Sequence, residues 1–481
     1  MQAPNFPVLE YSYCSLPDKF YSLVAPAVPP KPEVALFNTA LAETLGLQFP
    51  KPEDLIDFFW SQSVSSTSFA QAYAGHQFGH FTKLGDGRAI IVGEGTGSHY
   101  GRFDIQLKGA GITPYSRRGD GKATLKAMLR EYLISEAMQG LGIASSRSLA
   151  VIKTGQQVHR ESVQEGAVLV RIMQSHLRIG TFEYARQYGT EEDLKALTAY
   201  TLARLFPTLA QSENPALALL EKVIELQIHL IADWMRVGFI HGVMNTDNVA
   251  ISGETFDYGP CAFMNVYHPA TVFSSIDSQG RYAFGNQARI IKWNITRLAE
   301  ALLPLMHQDI DEAVQLAQAS LDAFDARWKA QYYGTMLKKI GLEAQSQEYY
   351  ELVDSLFALM LKYKLDYTDT FKALWQEKSL GTATMQQPEA QTWLSKWNRL
   401  LASSTDWLSA EKRMRESNPV LIPRNHLVEQ ALEEAVAGDF TLFTKTLQVL
   451  QKPYESSAAA EALMTAPPDD FEQYYQTFCG T

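Results

Sequence analysis

The sequence is poor in cysteine, with three among 481 residues, at Cys14, Cys261 and Cys479. They lie far apart, with no C-x-x-C pair and no metal-ligand spacing, which excludes a disulfide framework or zinc module and points to a reducing compartment. The first twenty residues, MQAPNFPVLEYSYCSLPDKF, lack the basic start and apolar run of a signal peptide and the Arg-rich character of a transit peptide. No stretch reaches the roughly 18 apolar residues of a membrane span. The expectation is a cytoplasmic protein without a membrane partner. A basic excess is missing too: the net charge of −11 argues against a nucleic-acid partner bound through a general basic surface. Internal repeats and low-complexity tracts are absent, as are G-x-x-x-x-G-K-[ST], the G-x-S-x-G elbow and a helical H-E-x-x-H, so a Walker A site or a serine hydrolase has no support. His76 and His80 in AGHQFGH have the spacing of some zinc sites, but Gly79 disfavours a helix there and no third ligand is evident. A hydrogen-bonded structural pair is the expectation.

What the chain does contain is ample apolar material, 46% of its residues, and enough length for two or three domains. Its charge is uneven. From Lys83 to Arg186 there are 15 Lys and Arg against 9 Asp and Glu, a local balance of +6 that leaves −17 for the remainder. Such a segment suits either solvated faces or a pocket for a polyanion such as a nucleoside triphosphate. After a Pro-rich start that reads as an extended arm with short helices, RAIIVGEG and RFDIQLKGA form one strand-like pair, and SLAVIKTG and GAVLVRIM another. Between them Leu125, Leu129 and Leu133 recur every four residues, the spacing of a helix face. From Thr190 the pattern turns helical. Thr190 and Asp193 have capping-box spacing, and Leu219, Val223, Leu226, Leu230 and Trp234 form a core stripe that Gly238 can close.

That stripe runs directly into IHGVMNTDNVAISGETFDYGP. A protein kinase writes H-R-D-x-x-x-x-N and then D-F-G, where the first Asp takes the substrate proton and the Asn and second Asp hold magnesium. Here His241 is followed by Gly242 and Val243, so the expected base is missing, while Asn248 and Asp257-Tyr258-Gly259 stand in place. In the same layout Lys108, at the end of a strand, pairs with Glu131 on the following helix and holds phosphates. Arg171 and Arg178, with Arg88 and Lys108, would put four cations on one triphosphate. The glycines of GDGR, GEGTG and KGAGITPYSRRGDG are either phosphate cradles or plain turns.

YAGHQFGHFTKLGDGR, LKGAGITPYSRRGDG, LREYLISEAM, LVRIMQSHLRIGTFE, HGVMNTDNVAI and DYGP, in this order and across most of the chain, resemble the signature stretches of the selenoprotein O family, the YdiU-like pseudokinases. The resemblance implies a kinase-like fold that binds ATP, and in some members UTP, in a flipped orientation and transfers AMP to Ser, Thr or Tyr hydroxyls of proteins. It implies nucleotide contacts at Gly85, Gly87, Arg88, Lys108, Asp120, Gly121, Arg171, Arg178 and Asp257, with Glu131 supporting Lys108. It implies Mg²⁺ or Mn²⁺ at Asn248 and Asp257, and proton acceptance by Asp247. Asp247 lies four residues beyond the missing base and just before the metal-binding Asn, so its carboxylate can reach the same site from another direction. Cys479 falls where many relatives carry selenocysteine or cysteine, which suggests redox control. Some bacterial relatives have a partner Cys after D-Y-G-P; by count that position is Phe273 here, with Cys261 the nearby thiol, so a regulatory disulfide and a simple thiol both remain open.

The expected fold is therefore α+β, protein-kinase-like and two-lobed. It divides into an N-terminal extension (1–65), a strand-rich lobe (66–190), a helical lobe with the catalytic loop (191–330) and an additional C-terminal helical region (331–481). The expected activity is protein adenylyltransfer, with uridylyltransfer a variant. Its partners are proteins bearing hydroxyl groups, the chain itself among them. A conventional phosphotransferase and a silent ATP-binding scaffold are the alternatives.

Overall fold

The structure, a computed structural model, describes residues 8–97, 100–465, 467–468 and 471–478. Its first part is a nine-stranded antiparallel sheet made of β1 (Tyr21–Leu23), β2 (Glu33–Phe37), β3 (Phe69–Gln77), β4 (His80–Gly85), β5 (Ala89–Gly97), β6 (Gly101–Lys108), β7 (Ala123–Thr124), β8 (Arg147–His159) and β9 (Val163–Met173). The order is β1-β3-β5-β6-β9-β8-β2, with β4 attached to β3 and β7 to β9. Both strand pairs read from the sequence form as antiparallel partners, β5 with β6 and β8 with β9. Each is buried on two faces: along β5, Ile90 and Val92 face a cluster with Phe58 and Phe59, while Ile91 faces the main core. That alternation is the period of two that a strand imposes. The Pro-rich start is docked, since it supplies both edge strands β1 and β2.

The helix Leu125–Gly140 packs on β8 and β9, capped by the Thr124 hydroxyl, which accepts from Ala127 N at 3.3 Å. It is buried nearly all round, so Glu131 is buried as well, although it lies off the leucine face. Beyond β9 the chain is helical. The capping box at Thr190 and Asp193 is formed and starts the helix Glu191–Leu205. The leucine stripe lies on Pro215–Val237, with Asn214 as its cap and Gly238 closing it at φ 74°. A further run of helices from Gln287–Met306 to Phe471–Tyr474 completes the chain. One apolar core runs through sheet and helices alike. The architecture is α+β and two-lobed, with the loop that follows the long helix placed between the lobes, as in a protein kinase. Among the described residues no helix is long and apolar enough to cross a membrane.

Candidate active site

The loop from His241 to Cys261 is clamped at its ends, because Phe239–Ile240 pairs with Ala262–Phe263 directly after the Gly238 cap. His241 is buried, stacked on Trp234 with ring centroids 5.3 Å apart, and its Nε2 donates to the Phe256 carbonyl at 2.9 Å. It is a structural post, and burial pushes its pKa down so that it stays neutral. Inside the loop Thr246–Asn248 forms one 3₁₀ turn. Asn248 Nδ2 donates back to the Val243 carbonyl at 3.1 Å, so the turn is tied to the position where a kinase carries its base.

A cavity of about 1010 Å³ opens above this turn, and Arg88, Lys108, Glu131, Asp247, Asn248 and Asp257 all line it. Lys108 Nζ donates to Glu131 Oε2 at 2.7 Å and also to Asp257 Oδ1. Arg171, held by Gln106 on the neighbouring strand, reaches the same two carboxylates, Glu131 Oε1 and, at 2.6 Å, Asp257 Oδ1. Two cations therefore balance two carboxylates, of which Asp257 is partly exposed toward the cavity. Burial works against the charge on Asp257, but Lys108 and Arg171 overcome it and hold that carboxyl well below its usual range. Glu131 is lowered for the same reason, Arg171 being its stronger partner. Asp257 sits at φ 63°, left-handed backbone that costs a non-glycine residue about 1 kcal/mol and that these ion pairs offset.

Arg178 lies one layer deeper than the cavity wall. It is buried, lies 4.0 Å over the Tyr73 ring and 5.1 Å from that of Phe256, and bonds Asp86 Oδ1 at 3.4 Å and the Asp247 carbonyl at 3.3 Å. Of the four cations expected around a triphosphate, Arg88 and Lys108 face the cavity, whereas Arg171 and Arg178 stand behind it and fix Asp257 and the Asp247 turn. Asp247 itself is 8% exposed, and its Oδ1 has no hydrogen-bond partner in the protein. Burial pushes its carboxyl up to about 6, with Arg178 opposing.

The remaining predicted residues, Gly85, Gly87, Asp120 and Gly121, are not among those that line the cavity. Asp120 is paired with Arg160 through two contacts of 2.9 Å, which bring its carboxyl down to about 2. The glycines are explained by close packing. A Cβ on Gly85 would lie 2.3 Å from the Tyr115 ring, one on Gly87 3.0 Å from the Tyr115 carbonyl, and one on Gly121 2.1 Å from Gly111. They fold the 109–121 loop onto the GDGR turn. In GEGTG, Gly95 makes room for the Phe103 ring and Gly93 for Leu9 of the arm, so that stretch serves packing.

His76 and His80 face each other's strands across the β3–β4 hairpin, and His76 Nδ1 bonds Glu183 Oε1 at 2.5 Å. Cys479 lies outside the described residues. Cys261 is buried, donates to the Tyr258 carbonyl at 3.2 Å, and has its thiol pushed up to about 12 by burial. Near the expected partner position, Thr477 N donates to the Phe273 carbonyl at 2.8 Å.

Sequence reasoning passed over Asp86, Gln106, Asn245 and Glu183, and also the C-terminal residues 474–478, which wall one side of the cavity. Asp86 stands between two residues that were named, so its position within GDGR was a usable signal. The others carry no local mark.

The family model described as protein adenylyltransferase SelO matches residues 8–451. A Bacillus cereus (strain B4264) protein named protein nucleotidyltransferase YdiU is 48% identical over 482 residues, covering 98% of each chain. One of the same name from Clostridium perfringens (strain ATCC 13124) is also 48% identical, covering 98% of this chain and 97% of its own. Among solved structures, one titled as ROP2 from Toxoplasma gondii, a virulence factor with a protein-kinase fold and no enzymatic activity, aligns at 13% identity and a TM-score of 0.25. It covers 70% of this chain and 88% of that one.

Proposed function

Since the chain belongs to the SelO family of protein adenylyltransferases, we propose that it moves AMP from ATP to Ser, Thr or Tyr hydroxyls of proteins, its own among them, with Asp247 as proton acceptor. It is a nucleotidyltransferase that acts on proteins, and the scarcity of cysteine fits work in the cytoplasm. In the proposed step the acceptor oxygen forms a bond to the α-phosphorus. The bond from that phosphorus to the pyrophosphate oxygen breaks, and the hydroxyl proton passes to Asp247. The observation that carries this reading is the pairing of a Val at position 243 with a buried Asp247 carboxyl whose Oδ1 has no hydrogen-bond partner, in the lining of the same cavity as Lys108 and Asp257.

Asn248 and Asp257 fit a hard cation such as Mg²⁺ or Mn²⁺: both offer oxygen donors and both line the cavity. Two protein ligands are what such ions commonly take when phosphates complete the shell. When bound, the ion would neutralise charge on the phosphates and on departing pyrophosphate. Lys108 and Arg88 would act on the same charge. UTP in place of ATP would need no change in these groups, which address phosphate only.

The test is incubation with α-labelled and γ-labelled ATP in parallel, followed by mass spectrometry of the labelled protein. Label from the α-phosphate alone, with one pyrophosphate per transfer, is the expected result. Label from the γ-phosphate would make the chain a phosphotransferase, and nucleotide binding with no label at all would make it a scaffold.

A further inference from the structure

Strand β3 runs against the catalytic turn so closely that no side chain fits between them. A Cβ on Gly75 would lie 2.3 Å from Asp247 Oδ1, 2.9 Å from its Cγ and 3.0 Å from its Cβ. On the other side stands Gly180, in the first turn of the helix Ile179–Tyr188. A Cβ there would lie 1.9 Å from the Ala74 carbonyl oxygen and 3.4 Å from the Asp247 Cα. Neither glycine has the positive φ that favours glycine, so both backbones are open to alanine and only the lack of space excludes it. Gly75 is therefore the wall against the Asp247 carboxylate, and Gly180, whose tight contact is with Ala74, lets the second wall, its helix, close onto β3 beside the Asp247 backbone.

The residues just before it are held from the end of the same strand and the turn that follows it. His76 N donates to Thr246 Oγ1 at 2.7 Å, and Phe78 N donates to Asn245 Oδ1 at 3.0 Å. The Tyr282 hydroxyl reaches that same Oδ1 at 2.6 Å. Glu183, on the Gly180 helix, takes the His76 ring at 2.5 Å and so locks β3 to the helix that forms the second wall. Asn248 N closes the turn onto the Asn245 carbonyl at 2.9 Å. The backbone and side chains that flank Asp247 are thus tied down, while its Oδ1, buried against Gly75, makes no hydrogen bond.

We propose that Gly75, together with the His76–Glu183 pair, is a positioning device that sets where the Asp247 carboxylate points. This rests on the reading of Asp247 as proton acceptor. It gives AGHQFGH a purpose that its histidine spacing does not suggest: the stretch is a template for the catalytic turn. A misplacement of about 1 Å in a reacting group can cost on the order of 10²-fold in rate without touching binding.

The decisive experiment compares Gly75→Ala, Asp247→Ala and the double variant for kcat, KM and nucleotide Kd. Gly75→Ala should lower kcat by roughly ten- to a hundredfold, with nucleotide Kd within about twofold of wild type. In the double variant the loss should equal that of Asp247→Ala alone, because the group being positioned is gone. Losses that multiply, or wild-type kcat in Gly75→Ala beside an inactive Asp247→Ala, would overturn the proposal while leaving the proton acceptor in place. Normal turnover in Asp247→Ala would instead overturn the acceptor reading, and the positioning role with it. Should Gly75→Ala not fold, Glu183→Ala and Glu183→Gln serve: the first should lose kcat at unchanged Kd, and the second, which keeps a hydrogen-bonding amide, should recover most of it. Equal kcat in Glu183→Ala and wild type would count against the proposal.

Discussion

Replacing Glu131 by Gln keeps the shape of the side chain and deletes one charge from a buried group of four. In the wild type two cations, Lys108 and Arg171, face two carboxylates, Glu131 and Asp257, and all but Asp257 are almost fully buried. A contact near 3 Å at an effective dielectric of about 20 is worth about 5 kcal/mol before desolvation. Glu131 makes two such contacts, but Asp257 remains to serve both cations, so the whole sum is not lost. Breaking one partner out of a buried ion pair costs about 3–5 kcal/mol, a large share of a total stability of about 5–15 kcal/mol. Equilibrium unfolding in urea, followed by circular dichroism, should show Glu131→Gln destabilised by that amount. With saturating Mg–ATP the gap should narrow by about 1 kcal/mol or more, because phosphate supplies the missing negative charge beside Lys108 and binds only the folded form. A variant within about 1 kcal/mol of wild type, or a gap that nucleotide leaves unchanged, would refute the account of a charge-balanced cluster that opens toward phosphate.

A different carboxylate should govern the pH dependence of stability. Glu254 is buried, accepts from Gln174 N and the Ser252 hydroxyl, and has its carboxyl pushed by burial from 4.5 up to about 7. The folded state then holds this proton more tightly than the unfolded one. Stability should fall as pH rises from about 4.5 to about 7 and stay at the lower level above, by on the order of 3 kcal/mol. Glu254→Gln should reduce that slope in unfolding curves taken across the range, leaving the share that Asp247 contributes, and an unchanged slope would exclude Glu254 as a source. Asp120→Asn should behave in the opposite way. Its pair with Arg160 is partly exposed to solvent, so the stability change should stay below about 1 kcal/mol, whereas calorimetric titration with ATP should show several-fold weaker binding if Asp120 orders the 109–121 loop for phosphate. Unchanged affinity would remove Asp120 from the nucleotide contacts.

Much of the fold was legible because its signals are local. The Thr190–Asp193 capping box, the stripe from Leu219 to Trp234 closed by Gly238, and the two strand pairs each depend on residues a few positions apart, where side-chain spacing alone selects helix or strand. The pairing of Lys108 with Glu131 came from the order of the elements, and the structure places the two side chains 2.7 Å apart. Asp247 was reached through the family resemblance and the gap at Val243, since nothing about an isolated Asp marks it. The glycines of GEGTG were ambiguous for a physical reason: a glycine that admits a phosphate and one that admits a phenyl ring leave the same letter.

By itself, then, the sequence determined the succession of strands and helices, the kinase-like frame of the loop from His241 to Pro260, and the family. The tertiary structure alone decided which residues stand in the cavity and which stand behind it. Arg88 and Lys108 face the space, while Arg171 and Arg178 are spent on holding Asp257 and the Asp247 turn. It alone joined His76 to Thr246, 170 positions away, and set Gly75 against Asp247. Contacts of that range depend on how the sheet and the helical lobe pack against each other, and close packing fixes them to fractions of an ångström that no local pattern encodes.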